Sequence, residues 1–263
     1  MKEKFSLITV FSDFEKNIRG NVSAVVMLSN ELTSEQMQTI ASDFNQPATT
    51  FLWKGENNAY NIRWFAPDAE IMLCGHGSLA ATAFLSENNV NTEFTFIHKK
   101  GKVIGSIDEN GLCSIVLDAI PVTLIPEVPE VLKEGLGIQV IGYFASEDKF
   151  IVLAENEKAV KNMKPDFSKL RESKVFGYAV TAKGDDVDFV SRTLVPHVQQ
   201  LEDHATGSSH AVLTPFWSER LNKKHLKSLQ LSSRGGSFIC EMNKNSVEIS
   251  GKYEVLAEGF INL

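Results

Sequence analysis

The chain has 263 residues, with 33 acidic against 26 basic side chains, a formal net charge of −7 and a pI near 5.5. Its 43% hydrophobic and 22% charged content is that of a globular protein long enough for one large domain or two smaller ones. The acidic balance argues against a nucleic-acid binder, which needs basic phosphate contacts.

No apolar run approaches the roughly 18–20 residues that span a bilayer, and charge interrupts the opening MKEKFSLITVFSDFEK too early for a secretory leader. The expectation is a soluble, cytoplasmic protein. Three cysteines, Cys74, Cys113 and Cys240, form no closed disulfide framework and show no metal-ligand spacing.

Taken in chain order, the first predicted element is a helix. Thr33 and Gln36 have capping-box spacing, and Met37, Ile40, Ala41 and Phe44 form an apolar stripe behind them. TTFLW (49–53) and AYNIRWF (59–65) read as strands around a GENN turn. A loop with Pro67, the string CGHGS and the apolar stretch LAATAFL follow, then strands EFTFIHK, KVIGSI and LCSIVLD.

The second half repeats this order. KVFGYAVTA and VDFVSRTLV flank GDD, and a loop with Pro196 leads to ATGSS, HAVLTPFW and the strands GSFICEM, SVEIS and YEVLAEGFINL. Arg63 and Pro67 register with Arg192 and Pro196, and Gly77-Ser78 with Gly207-Ser208 after one inserted residue. The expected architecture is two similar α/β lobes, 1–118 and 130–263, joined by a proline-rich linker at 119–129, with the last strand crossing back to the first lobe.

Two glycine-containing helix starts are the candidate chemistry. The first turn of a helix leaves backbone N–H groups unpaired at the positive end of the dipole, and glycine lets a ligand approach closely. Gly75, Gly77 and Ser78 on one helix, and Thr206, Gly207 and Ser208 on the other, are suited to a substrate carboxylate. Gly and Ser also open ordinary helices, so the pairing carries the inference.

Titratable groups gather on the same strings. Cys74 and His76 flank the first start; Glu202, Asp203 and His204 lead into the second. A thiol at a helix N-terminus has its ionisation favoured, so Cys74 is a candidate base or nucleophile. His76 and Asp203 are the candidate proton carriers. For His204 and His210 a core role and a functional one stay open; His98, His197 and His225 read as surface residues. GxxxxGK[ST], HExxH, GxSxG and a complete GxGxxG are absent. The pattern calls for no cofactor and no metal.

At these residues the sequence resembles the PhzF-like proteins of phenazine biosynthesis, which share the diaminopimelate-epimerase fold. The likeness runs through VFSDFEKNIRGNVSAVV, FNQPATTFLW, IRWFAPDAEIMLCGHGSLAATAFL, EDHATGSSHAVLTPFW and SSRGGSFICEM to the closing VEISGKYEVLAEGFINL. The resemblance implies an α+β fold of two pseudo-symmetric lobes, each a curved, mostly antiparallel sheet around a central helix, with the site in the cleft between them. It also implies a homodimer and a cofactor-free isomerase acting on a small carboxylate.

Carried over by position, the family's histidine and adjoining glycine fall on His76 and Gly75, its aspartate on Asp203 and its serine on Ser208. Its catalytic glutamate falls on Ala48. A methyl group carries no proton, so the sequence also admits a small-molecule binding protein that keeps the site without the chemistry.

Overall fold

The structure is a computed structural model describing residues 2–87, 92–147 and 149–263. The chain divides into two compact units, Met1–Leu117 with Ser250–Leu263, and Asp118–Ile249. Among the described residues no helix is long and apolar enough to cross a membrane.

The first unit contains β1 (Lys2–Ser12), β2 (Asn21–Met27), α1 (Ser34–Phe44), β3 (Ala48–Lys54), β4 (Tyr60–Phe65) and β5 (Glu70–Ile71). It continues with α2 (Gly75–Ser86), β6 (Glu93–His98), β7 (Gly101–Ile107) and β8 (Cys113–Asp118). Strands β1–β2, β3–β4, β6–β7 and β7–β8 pair antiparallel, while β2 runs parallel to β3 and β4 to β6.

Helix α1 begins as its sequence signals. Thr33 Oγ1 accepts the Gln36 N–H at 3.2 Å and Gln36 Oε1 accepts the Thr33 N–H at 3.0 Å, completing the capping box. Its stripe joins the core: Met37 and Ala41 are fully buried with Val26, Phe51 and Phe65, and Ile40 and Phe44 pack against them. Helix α2 is the central element. Every residue from Gly75 to Leu85 is buried, as a helix with apolar residues on all its faces requires, and its Ser78 and Thr82 hydroxyls donate to the helix's own carbonyls; it packs on β1, β2, β3 and β7.

The second unit comprises β9 (Thr123–Leu124), α3 (Glu130–Leu136), β10 (Val140–Ala145), β11 (Phe150–Ala154), α4 (Glu157–Asn162) and α5 (Phe167–Leu170). After these come β12 (Tyr178–Lys183), β13 (Phe189–Val195), β14 (Leu201–Asp203), α6 (Gly207–Leu221), β15 (His225–Gln230) and β16 (Gly236–Asn243). The residues read as a linker therefore carry β9, which pairs with Phe144 and Ala145 of β10. Leu132, Leu136, Tyr143, Val152, Tyr178 and Leu194 form the core of this unit.

Its pairing repeats that of the first unit. β10–β11, β12–β13, β13–β14 and β15–β16 are antiparallel, and β11 runs parallel to β12 and β13 to β15. The two arginines that align in sequence have the same role in each. Arg63 forms a bidentate pair with Glu70 (both bonds 2.9 Å), and Arg192 a bidentate pair with Glu202 (2.8 and 2.7 Å). Each also ties the sheet to a helix: Arg63 donates to Ser34 Oγ, Arg192 to the Met163 carbonyl.

This fixes the alignment of the two halves differently from the sequence reading. Arg63 and Glu70 are 7 residues apart, Arg192 and Glu202 are 10, so the second turn is three residues longer rather than one. Four residues beyond each glutamate come the helix caps Cys74 and Thr206. Gly75 thus corresponds to Gly207 and His76 to Ser208.

The final strands also differ from expectation. SVEIS and YEVLAEGFINL form one continuous strand, β17 (Ser246–Asn262), with Gly251 inside it. A Cβ at Gly251 would lie 2.6 Å from the Phe11 ring, so glycine marks close packing here and no turn. From Lys252 onward β17 pairs antiparallel with β1.

Candidate active site

The sequence-predicted residues fall into two groups, one in each unit. In the first, Cys74 is the N-cap of α2, and its Sγ takes the place of a capping oxygen by accepting the Gly77 N–H at 3.3 Å. His76, on the first turn, is nearly buried at 6% exposure. Its Nδ1 lies 3.5 Å and its Nε2 3.7 Å from Cys74 Sγ. Ser78 is buried, and its hydroxyl donates to the Cys74 carbonyl at 2.8 Å. That bond commits the Ser78 proton to its own helix.

A residue that sequence reasoning missed orients the histidine. Asn21, at the start of β2, has its Oδ1 accepting the Val22 N–H at 3.1 Å, which leaves its amide nitrogen 3.4 Å from His76 Nδ1. An amide NH₂ only donates, so this contact is a hydrogen bond in the tautomer whose Nδ1 carries no proton. Fifty-five residues separate the two, and no local spacing signals the contact.

Gly77 is required by packing. A Cβ there would lie 2.6 Å from Trp64 Cδ1, 2.7 Å from Thr50 Oγ1 and 3.1 Å from Cys74 Sγ. Gly77→Ala is therefore expected to destabilise the protein by about 1–3 kcal/mol through overpacking and to displace Cys74. Urea unfolding checks this, and an unchanged midpoint would show that the neighbours give way freely.

Ala48 opens β3, is fully buried, and pairs with Ser23 of β2, whose Oγ donates to its carbonyl at 3.2 Å. Residues two apart share a strand face, so Ala48 lies on the face of Thr50, the face turned toward Gly77 of α2. Position 48 thus belongs to the strand surface against the helix start, and it offers only a methyl group.

In the second unit Asp203 ends β14 opposite Thr193, and α6 starts four residues later. Thr206 is the N-cap but makes no capping bond of its own; its hydroxyl accepts from Gln230 Nε2 at 3.1 Å. Gln230, at the end of β15, was also missed from sequence. Its single buried amide also donates to the Asp203 carbonyl and accepts the Thr206 N–H at 2.9 Å. One side chain thus fixes both ends of the loop that carries Asp203. Ser232 adds a 2.6 Å bond to the His204 carbonyl.

Glu202 is occupied by Arg192, so its carboxylate serves the fold. His204 is half-buried, its Nδ1 has no hydrogen-bond partner among the described residues, and burial draws its pKa below the usual imidazole value. His210 is a core residue. It is fully buried, with Nδ1 donating to the Thr206 carbonyl at 2.8 Å and Nε2 accepting from Ser228 Oγ at 2.9 Å. Desolvation lowers its pKa to about 4.

The remaining histidines divide. His197 and His225 are exposed, whereas His98 is half-buried because its ring packs on Trp64 at 5.4 Å. Burial pushes the Cys113 and Cys240 thiols up to about 12, which leaves both inert at neutral pH. Among the described residues no three His, Cys, Asp or Glu side chains converge as a metal site would need.

Comparisons with known proteins identify the family and the fold. The profile of the family described as phenazine biosynthesis-like protein matches residues 8–259. An uncharacterized isomerase of Pseudomonas aeruginosa is 37% identical over 268 residues, covering all of both chains. The crystal structure of a PhzF-family phenazine biosynthesis protein from Enterococcus faecalis superposes with a TM-score of 0.92 at 34% identity, covering 100% of both chains. A predicted epimerase from Pseudomonas aeruginosa shares the fold at a TM-score of 0.77 and 17% identity, covering 99% of each chain. With the family profile spanning nearly every residue and full-length relatives above 30% identity, the chain belongs to the PhzC–PhzF family of phenazine biosynthesis-like proteins.

Proposed function

We propose that the chain is a cofactor-independent isomerase or epimerase of the PhzF type that moves a proton on a small carboxylate-bearing metabolite. Family and fold fit that reaction class. The observation that carries the reading for this chain is the environment of His76. It is a nearly buried imidazole on the first turn of a glycine-rich helix, held by Asn21 and lying beside the Cys74 thiol.

In the proposed reaction a base removes a proton from a carbon near the carboxylate and an acid returns one, either to another carbon (a hydrogen shift) or to the opposite face of the same carbon (an inversion), with no net redox. His76 and Asp203 carry the proton, with Cys74 as a further acceptor. The N–H groups of the first turns at Gly75, Gly207 and Ser208, with Thr206 at the cap, hold the carboxylate, while the Gly77 N–H is given to Cys74 Sγ. The reading requires one substrate to reach both helix starts, in the inter-lobe cleft that the family resemblance implies.

Ala48 favours a second reading, a binding protein that retains the site without turnover. Proton NMR of 2,3-dihydro-3-hydroxyanthranilate in D2O, with the wild type and Ala48→Glu, separates the two. The enzyme reading expects isomerisation or solvent exchange by the wild type. Activity confined to Ala48→Glu would establish the binding-protein reading, since the glutamate alone would then restore chemistry. If both proteins are silent, this substrate is excluded, and the same exchange assay moves to other small carboxylates.

A further inference from the structure

Lys149 immediately precedes β11 and is 5% exposed. Its Nζ donates to Ser208 Oγ at 3.0 Å, on the first turn of α6, and lies 5.7 Å from the centre of the Phe176 ring. Its own carbonyl is held by Ser146 Oγ at 2.6 Å. Room for its stem comes from Gly177, where a Cβ would fall 3.3 Å from Lys149 Cγ.

The internal repeat gives this placement a meaning. In the first unit Ala24 pairs with Thr49 and Ser23 with Ala48; in the second, Phe150 pairs with Tyr178. Thr49 lies opposite Phe65 and Tyr178 opposite Leu194, the residues that face the two paired glutamates. Lys149 therefore stands where Ser23 stands in the first half, and Gly177 where Ala48 stands. Ser208 corresponds to His76. In both halves a polar residue at the start of the early strand or just before it reaches the second residue of the central helix, Asn21 in one and Lys149 in the other.

An ammonium group has donors only, so Ser208 Oγ must accept from it and the hydroxyl proton is turned away from the lysine. Ser208 is then set as a donor.

We propose that Lys149 is a positioning residue for carboxylate recognition: it fixes Ser208 as a hydrogen-bond donor and adds positive charge at the α6 start, so that the site selects an anionic group over its neutral isostere. The inference rests on the reading above, in which this helix start receives the substrate carboxylate.

The test is calorimetric binding of anthranilate, benzoate and glutarate, each beside its carboxamide, to the wild type, Lys149→Gln and Lys149→Arg, with circular dichroism as the folding check. The wild type is expected to prefer carboxylates. Lys149→Gln keeps much of the stem and loses about 10-fold or more of carboxylate affinity, the scale of a charge-assisted bond, with carboxamide binding unchanged. Lys149→Arg restores part of the preference, which a merely structural lysine would not do. If the wild type prefers carboxylates and Lys149→Gln keeps the same preference, the inference is overturned and the functional reading stands. If the wild type shows no preference for carboxylates over carboxamides, the inference is overturned, and the functional reading is decided separately by the solvent-exchange assay.

Discussion

His76→Ala is expected to lower turnover of an identified substrate by roughly 10²–10⁴-fold, the usual contribution of a positioned acid or base. The argument is local. His76 is 6% exposed and its Nδ1 faces the Asn21 amide. A second group in hydrogen-bond reach, Cys74, is anchored by the helix N–H of Gly77. Alanine removes the only imidazole at this helix start and leaves the cap geometry in place.

Asp203→Asn is expected to have an effect of the same order, because the amide preserves shape and the bonds that Gln230 makes to the backbone while losing the carboxylate. The double variant is the informative one. Groups that act as a unit on one substrate are strongly non-additive, so the combined loss should fall well short of the product of the single losses. Turnover intact in both single variants would sink the assignment, and full additivity would separate the roles of the two helix starts. Steady-state kinetics with circular dichroism controls measures all of this.

The fold was legible wherever the signal is local. Thr33 and Gln36 announce α1, and the strand–loop–glycine–helix order, written twice, announces the duplication, because each device is encoded within a few residues. The aligned arginines were visible as spacing. Their glutamates were not, because a bidentate pair across a turn leaves no periodicity. For the same reason the turn length was misjudged: glycine and serine recur at both helix starts, and matching Gly77-Ser78 to Gly207-Ser208 slid the register by one half-turn of helix, until the Arg–Glu pairs fixed it.

The candidate site was legible only in part. Cys74, His76, Asp203 and the glycines stand out because helix starts have a sequence signature. The side chains that orient them come from elsewhere in the chain: Asn21 lies 55 residues from His76, Gln230 27 from Asp203, Lys149 59 from Ser208. These are tertiary hydrogen bonds, and only the fold brings their partners together. Ser78 shows the converse. It matches the pattern of a binding serine, yet its proton goes to the helix backbone, an option open to any serine within a helix.

Two histidines near the starts of the central helices have opposite natures, and the second yields a prediction of stability. His210 is fully buried, stacks on Phe238 at 3.7 Å between ring centres, and has both ring nitrogens engaged by neutral partners. Among the described residues no carboxylate balances a proton there, so desolvation holds its folded pKa at about 4, against about 6.5 for the unfolded chain. Between those values the unfolded chain takes up a proton that the folded chain refuses. Stability from this residue is therefore complete above about pH 6.5 and is lost as pH falls toward 4, by about 3 kcal/mol in total. His210→Asn retains a donor for the Thr206 carbonyl and removes the titration. It is expected to be less stable than the wild type at pH 7, because Ser228 loses its acceptor, and to lose about 3 kcal/mol less between pH 7 and pH 4. Urea unfolding at the two pH values gives both numbers. Parallel pH dependences in the two proteins would mean that His210 accepts a proton in the folded state and that its core assignment is wrong.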